Sequence, residues 1–118
     1  MKASPRPDPT SFVFGSFRLD AGARPLEREG VPVPLLPKPF DALLVLVQNS
    51  GRLLDKEFLL AEIWPDAHVD ENNLARAISD IRKALGEGPK DQHYVVTVAR
   101  RGYRFAASVE IVGQVVSP

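Results

Sequence analysis

The residues between Asp70 and Leu85 combine side chains that could contact nucleic acid with the spacing of a single helix. An apolar line repeats there at about 100° per residue, and it is formed by Leu74, Ile78, Ile81 and Leu85. The opposite face and its flanks are polar and carry Asn72, Asn73, Arg76, Ser79, Asp80 and Lys83. Amide, guanidinium, hydroxyl and ammonium groups suit the base edges and phosphates of a DNA major groove, which admits one α-helix. Any solvated surface helix can show such a face, so the pattern alone leaves both interpretations open.

A second group of basic residues lies near the C-terminal end, in a predicted β-hairpin. Residues 94–98 and 103–106 read as two strands, and Arg100 and Arg101 fall in the turn between them. Three arginines follow residue 93 against the single acid Glu110, which leaves a local excess of +2. Arginine at a hairpin tip can enter a minor groove or hold its phosphates, whereas the alternative is a solvated turn.

Other reactive chemistry finds little support in this sequence. His68 stands between Asp66 and Asp70, but this spacing matches no closed metal-ligand set. The chain has no cysteine, which excludes disulfides, thiolate zinc sites and a cysteine nucleophile. We therefore expect no enzymatic activity, no metal, no other cofactor and no small-molecule substrate.

The overall charge first argues against a nucleic-acid partner. Fifteen basic residues balance fifteen acidic ones across 118 residues, a length that fits one globular domain with 44% hydrophobic residues. Sorted by position, however, residues 42–69 hold four acids and two bases, while the C-terminal hairpin is basic. This separation predicts weak non-specific affinity for DNA and a greater dependence on base contacts or on a second copy of the domain.

No segment of the sequence resembles a membrane or secretion signal. The longest apolar run, residues 42–47, has six residues, where a membrane span needs about 20. The N-terminal end has no signal-peptide pattern. We therefore expect a cytoplasmic domain that makes no membrane contact within this segment.

The elements that must position these residues follow from hydrophobic periodicity and capping signals. Residues 12–35 alternate between apolar residues and turns, which predicts three or four short strands. Helices are then predicted from Pro37, from the N-cap Asp55 to Trp64, and from the N-cap Asp70 to Gly86. Residues 1–11 are predicted to be a disordered leader, 12–107 the domain, and 108–118 a tail or linker, in which residues 109–116 either add an edge strand or fray.

Strands, three helices and a terminal hairpin in this order predict an α+β winged helix, in which the hairpin is the wing. The second and third helices form its helix-turn-helix. The residues expected in its core are Phe40, Leu43, Leu44, Phe58, Leu59, Ile63 and Trp64.

Two runs make the resemblance to a known family specific. They are GRLLDKEFLLAEIWPDAHVDENNLARAISDIRKALGE and VVTVARRGYRF. The chain resembles the effector domain of OmpR/PhoB-type transcriptional regulators over about residues 14–105, and is similar above all to the N-terminal domain of CadC/ToxR-like one-component activators. The resemblance implies sequence-specific binding of double-stranded DNA, with the third helix in the major groove and the wing at the minor groove.

The resemblance also implies roles for individual residues. It makes Asn72 and Asn73 phosphate or base contacts, places Arg76 and Ala77 on the groove-facing side, and makes Thr97 a contact to the DNA backbone. The hydroxyl of Tyr103 is expected near the DNA, with its ring packed under the wing.

The sequence departs from the family pattern at three positions. Asp80 replaces a basic residue that is frequent in relatives, Ala99 replaces an arginine that here is shifted to positions 100 and 101, and Leu36 replaces a threonine cap. The operator of a known relative therefore cannot be transferred to this chain.

Two further partners are implied by the family. Pro65, Asp66, Ala67 and His68 form either a contact for RNA polymerase or an ordinary exposed loop. Relatives bind direct repeats as tandem homodimers, and they continue into a sensor, linker or membrane segment.

A rival hypothesis is a winged helix that docks onto another protein, which Asp80, Glu71 and the neutral total charge favour.

Overall fold

Two antiparallel sheets flank three helices in the computed structural model, which describes residues 10–22, 26–87 and 93–113. The elements in chain order are β1 Thr10–Phe14, β2 Phe17–Asp20, β3 Leu26–Arg28, β4 Val31–Pro32, α1 Pro37–Gln48, β5 Leu53–Asp55, α2 Lys56–Ile63, α3 Glu71–Ala84, β6 Val95–Val98, β7 Gly102–Phe105 and β8 Glu110–Gly113. One sheet has the order β4-β3-β2-β1-β8 and the other β5-β7-β6. The predicted α+β winged helix is confirmed.

The strand meander and the hairpin agree with the sequence patterns, but β5 had not been predicted, and of the two alternatives for residues 109–116 the structure shows the edge strand, β8. β5 precedes α2 directly and pairs with β7, and β8 pairs with β1. β1 takes in Thr10 and Ser11 from the predicted leader, and β8 comes from the predicted tail. β1 and β8 therefore include residues outside the predicted limits of 12 and 107. Residues 1–9, 114–118 and the predicted loop at 88–92 lie outside the described residues.

Capping side chains set the starts of α2 and α3 as predicted. The Asp55 carboxylate accepts a hydrogen bond from the Phe58 N–H at 2.7 Å, and Asp70 accepts one from the Asn72 N–H at 2.9 Å. Leu36 precedes α1 without a side-chain cap, as its apolar side chain requires. α3 ends at Ala84, and Gly86, two residues later, has a φ of +77°, which suits glycine.

The helices and both sheets enclose one hydrophobic core. Phe40, Leu43, Leu59 and Ile63 are buried as predicted, whereas Leu44 and Trp64 are only partly buried. The core prediction for Phe58 is wrong, because its side chain is 40% exposed in the first turn of α2. A cluster of aromatic rings joins the two sheets, formed by Phe14, Phe17, Tyr94 and Phe105.

Candidate nucleic-acid interface

The outward face of α3 carries the polar side chains that the sequence singled out. Leu74, Ile78 and Ile81 are at most 1% exposed and fix the helix against the core. The outward face consists of five exposed residues: Asn72, Asn73, Arg76, Ser79 and Lys83. The helix thus presents amide, guanidinium, hydroxyl and ammonium groups to solvent from a rigid backbone.

Two neighbouring positions on α3 differ from the outward face. Ala77 is only 3% exposed, so the prediction that it lies on the groove-facing side is wrong. At about 100° per residue it stands beside the Leu74 and Ile78 line, and its small side chain is covered there. Asp80 is partly buried and, with Lys83, lines a groove of about 750 Å³ whose other wall is residues 33–36. Asp80 therefore lies at the edge of the outward face.

The wing, which comprises β6, β7 and the turn between them, carries the two tip arginines. Val98 pairs with Gly102, and the Arg101 N–H donates to the Val98 carbonyl at 2.9 Å to close the turn. Arg100 has a φ of +68°, in the left-handed region that glycine favours. Both arginine side chains are exposed. The wing tip is therefore a tight turn that presents two guanidinium groups to solvent.

Thr97 and Tyr103 are direct neighbours across the wing strands. Thr97 is exposed, and its Oγ1 accepts a hydrogen bond from Arg82 Nη2 at 2.8 Å. Tyr103 is 8% exposed and lines a cavity of about 260 Å³ between α3 and the wing. Ser79 and Lys83 of the outward face line the same cavity, so α3 and the wing meet at this point.

Sequence reasoning missed the two side chains that join α3 to the wing. Arg82 Nη2 also donates to the Val95 carbonyl at 2.9 Å. The carboxylate of Glu87, a residue 9% exposed, accepts hydrogen bonds from the backbone N–H groups of residues 93–95. Hydrophobic periodicity cannot find such residues; the only signal in the sequence is an acid directly after Gly86, the glycine that follows α3.

An ion pair joins the first turns of α2 and α3. Lys56 Nζ lies 2.9 Å from Glu71 Oε1. The hydrogen bond to the Glu71 carboxylate raises the pKa of Lys56 above its ordinary value, because it favours the charged ammonium. The Lys56 N–H also donates to the Arg101 carbonyl at 3.3 Å, so the start of α2 contacts the wing tip.

The connection between α2 and α3 is open to solvent. Pro65, Asp66, Ala67 and His68 are all exposed. All of them except Asp66 line part of a cavity of about 350 Å³ beside Trp64. Within residues 10–22, 26–87 and 93–113, no group of three potential ligands among His, Cys, Asp and Glu is placed to hold a metal ion. Over the same ranges, no helix combines the length and the apolar character that crossing a membrane requires.

Comparison with known proteins agrees with this geometry. The sequence model of the family "Transcriptional regulatory protein, C terminal" matches residues 30–105. The transcriptional regulator HilA of Salmonella typhi is 36% identical over 101 residues, which are 86% of this chain and 18% of HilA. This chain thus spans about a fifth of that relative.

Two solved structures share the fold over most of their length. The Klebsiella pneumoniae RstA DNA-binding domain, in complex with the RstA box, has a TM-score of 0.72 and 30% identity, over 81% of this chain and 96% of that one. The DNA-binding domain of Escherichia coli CadC has a TM-score of 0.74 and 26% identity, over 91% of this chain and 98% of that one.

Proposed function

The chain belongs to the family of transcriptional regulatory protein C-terminal domains of the OmpR/PhoB type, and we propose that α3 contacts bases in a DNA major groove while the wing contacts the adjacent minor groove. The function is sequence-specific binding of double-stranded DNA by a transcription regulator. The observation that carries the proposal is that the outward face of α3 lies beside the wing. Ser79 and Lys83 of that face line the same cavity as Tyr103 of the wing.

The exposed charges set the scale of the electrostatic contribution. Arg76, Lys83, Arg100 and Arg101 are the exposed bases of the outward face and the wing tip, and in this proposal they approach phosphates or a groove. Neutralising about four phosphates gives a slope of log K against log salt of about −3 to −4. Because the chain as a whole is neutral, non-specific binding is weak and base contacts carry much of the selectivity.

Selection of bound sequences from a random duplex library tests the proposal directly. We expect one enriched motif, and affinity for it that falls with salt at the slope given above. A random-sequence duplex of equal length is the control. Binding that does not change with salt would contradict the assignment of the four bases. The rival protein-docking function predicts no shift of any duplex in a gel at low salt.

We also propose that residues 65–68 contact RNA polymerase. Their exposure next to the partly buried Trp64 supports this, since such a loop offers a surface outside α3 and the wing. His68→Ala should then lower transcription in a reconstituted system while DNA affinity stays unchanged. If transcription is unaffected, an ordinary exposed loop is the correct description.

We also propose that the domain is cytoplasmic and that two copies bind DNA in tandem. Weak non-specific affinity favours pairing of two domains on adjacent half-sites, because two linked sites bind more tightly than one. The selected motif should then contain a direct repeat. A single half-site as the only enriched element would contradict the tandem arrangement.

A further inference from the structure

Arg82, in the last turn of α3, and Glu87, three residues after its end, form several hydrogen bonds with the first wing strand, β6, and the two residues before it. Arg82 Nη2 donates to the Val95 carbonyl at 2.9 Å and to Thr97 Oγ1 at 2.8 Å. Glu87 Oε2 accepts from the N–H groups of His93 and Tyr94, the latter at 2.7 Å, and Oε1 accepts from the Val95 N–H at 3.4 Å. A guanidinium that only donates and a carboxylate that only accepts thus hold residues 93–97, at the start of the wing, from the same helix end.

The helix end is itself fixed. Gly86 N–H donates to the Lys83 carbonyl at 3.1 Å and Glu87 N–H donates to the Arg82 carbonyl at 2.8 Å, the paired bonds of a Schellman motif. Glu87 is 9% exposed, so water competes little for its carboxylate. Hydrogen bonds from charged groups are also stronger than neutral ones. The orientation of the wing strand is therefore tied to that of α3.

Building on the proposed function, we propose that Arg82 and Glu87 are positioning residues for DNA binding. They set the distance and angle between the outward face of α3 and the wing, so that both meet the same DNA site in register. Neither residue needs to touch a base. Substitution of either residue weakens DNA binding because it displaces the wing. This loss of affinity therefore disappears when the wing tip has lost its charges.

A double-mutant cycle tests this dependence. Glu87→Gln and Arg82→Gln are each made in the parent and in a wing variant that combines Arg100→Ala and Arg101→Ala. We expect each substitution to weaken specific binding about tenfold in the parent and less than about twofold in the wing variant. Hydroxyl-radical footprints of Glu87→Gln should lose the protection beside the wing and keep that opposite α3. Glu110→Gln, which neutralises an exposed acid of β8, is the matched control and should change neither measurement.

Each alternative outcome has a distinct meaning. Equal losses in both backgrounds would overturn the positioning role while DNA binding itself stands. Absence of selective binding in the parent would instead be the failure of the proposed function. Arg82→Lys keeps the positive charge and a nitrogen that can donate more than one hydrogen bond, as Arg82 Nη2 does, so it should retain more affinity than Arg82→Gln. An affinity of Arg82→Lys below that of Arg82→Gln would also overturn the inference. If Glu87→Gln does not fold, as judged by circular dichroism, the Arg82→Gln cycle gives the decision.

Discussion

Gly102 of β7 faces Asp55 of β5 so closely that a methyl group at position 102 would lie 2.8 Å from the Asp55 Cα. The Leu54 carbonyl oxygen would lie closer still. Asp55 is also the N-cap of α2, so this contact joins the wing to the helix-turn-helix. Only a residue without a side chain permits the approach.

Gly102→Ala should therefore destabilise the domain by about 3 kcal/mol or more, because the obstructing atoms belong to the backbone and cannot move aside. Gly51→Ala is the matched control. Gly51 has a φ of +86° but open space around its Cα, so that substitution adds only backbone strain of about 1–2 kcal/mol. Urea unfolding of both variants measures the difference. Equal costs would show that the clash at Gly102 is relieved.

Arg100→Gly should stabilise the domain and weaken DNA binding at once. Glycine relieves the left-handed φ of +68°, a gain of about 1 kcal/mol, but it removes a guanidinium from the wing tip. Arg101→Gly is the control, because it removes an equal charge and leaves the strained φ in place. Thermal melting and DNA titration are measured on both. A melting temperature of Arg100→Gly below that of the parent would contradict the assignment of strain to Arg100.

Much of the fold could be predicted because its signals are local. Asp55 and Asp70 lie at N-caps, and the alternation of the meander and the wing reflects one buried face for each strand. β5 could not be assigned by the same means, and for β8 they left an edge strand and a frayed tail both open. Each is only three or four residues long and becomes a strand through a partner that is distant in the sequence, β7 and β1 respectively.

The candidate site could also be predicted only in part. Helical periodicity alone places Arg76 and Lys83 on an exposed face. The same periodicity could not exclude Ala77, because a small residue at the margin of an apolar stripe is buried or exposed according to the packing around it. Arg82 and Glu87 carry polar side chains that bind backbone of another element, and this depends on tertiary placement.

The ion pair between Lys56 and Glu71 should contribute stability that depends on pH. Because the folded-state pKa of Lys56 is raised, this contribution is complete below the ordinary value of about 10.4 and is lost as pH rises through the folded-state pKa. The difference in unfolding free energy between the parent and Glu71→Gln should be constant from about pH 6 to 9 and shrink at higher pH. Glu57→Gln is the control, because Glu57 lies next to Lys56 in the first turn of α2. Its difference from the parent should show no such decrease. A difference that grows with alkaline pH would contradict the assignment.

Arg76→Ala should both weaken binding and broaden base preference. Arg76 projects from the exposed side of α3, and an arginine that donates two hydrogen bonds to one base discriminates by about 1–3 kcal/mol. Arg18→Ala is the charge-matched control. Arg18 is an exposed arginine of β2, in the five-stranded sheet that does not contain the wing. Library selection with both variants should show one or more relaxed positions for Arg76→Ala and an unchanged motif for Arg18→Ala. If Arg76→Ala lowers affinity equally for all sequences and reduces the salt slope by about 1, then Arg76 contacts phosphate, and selectivity rests on Asn72, Asn73 and the wing.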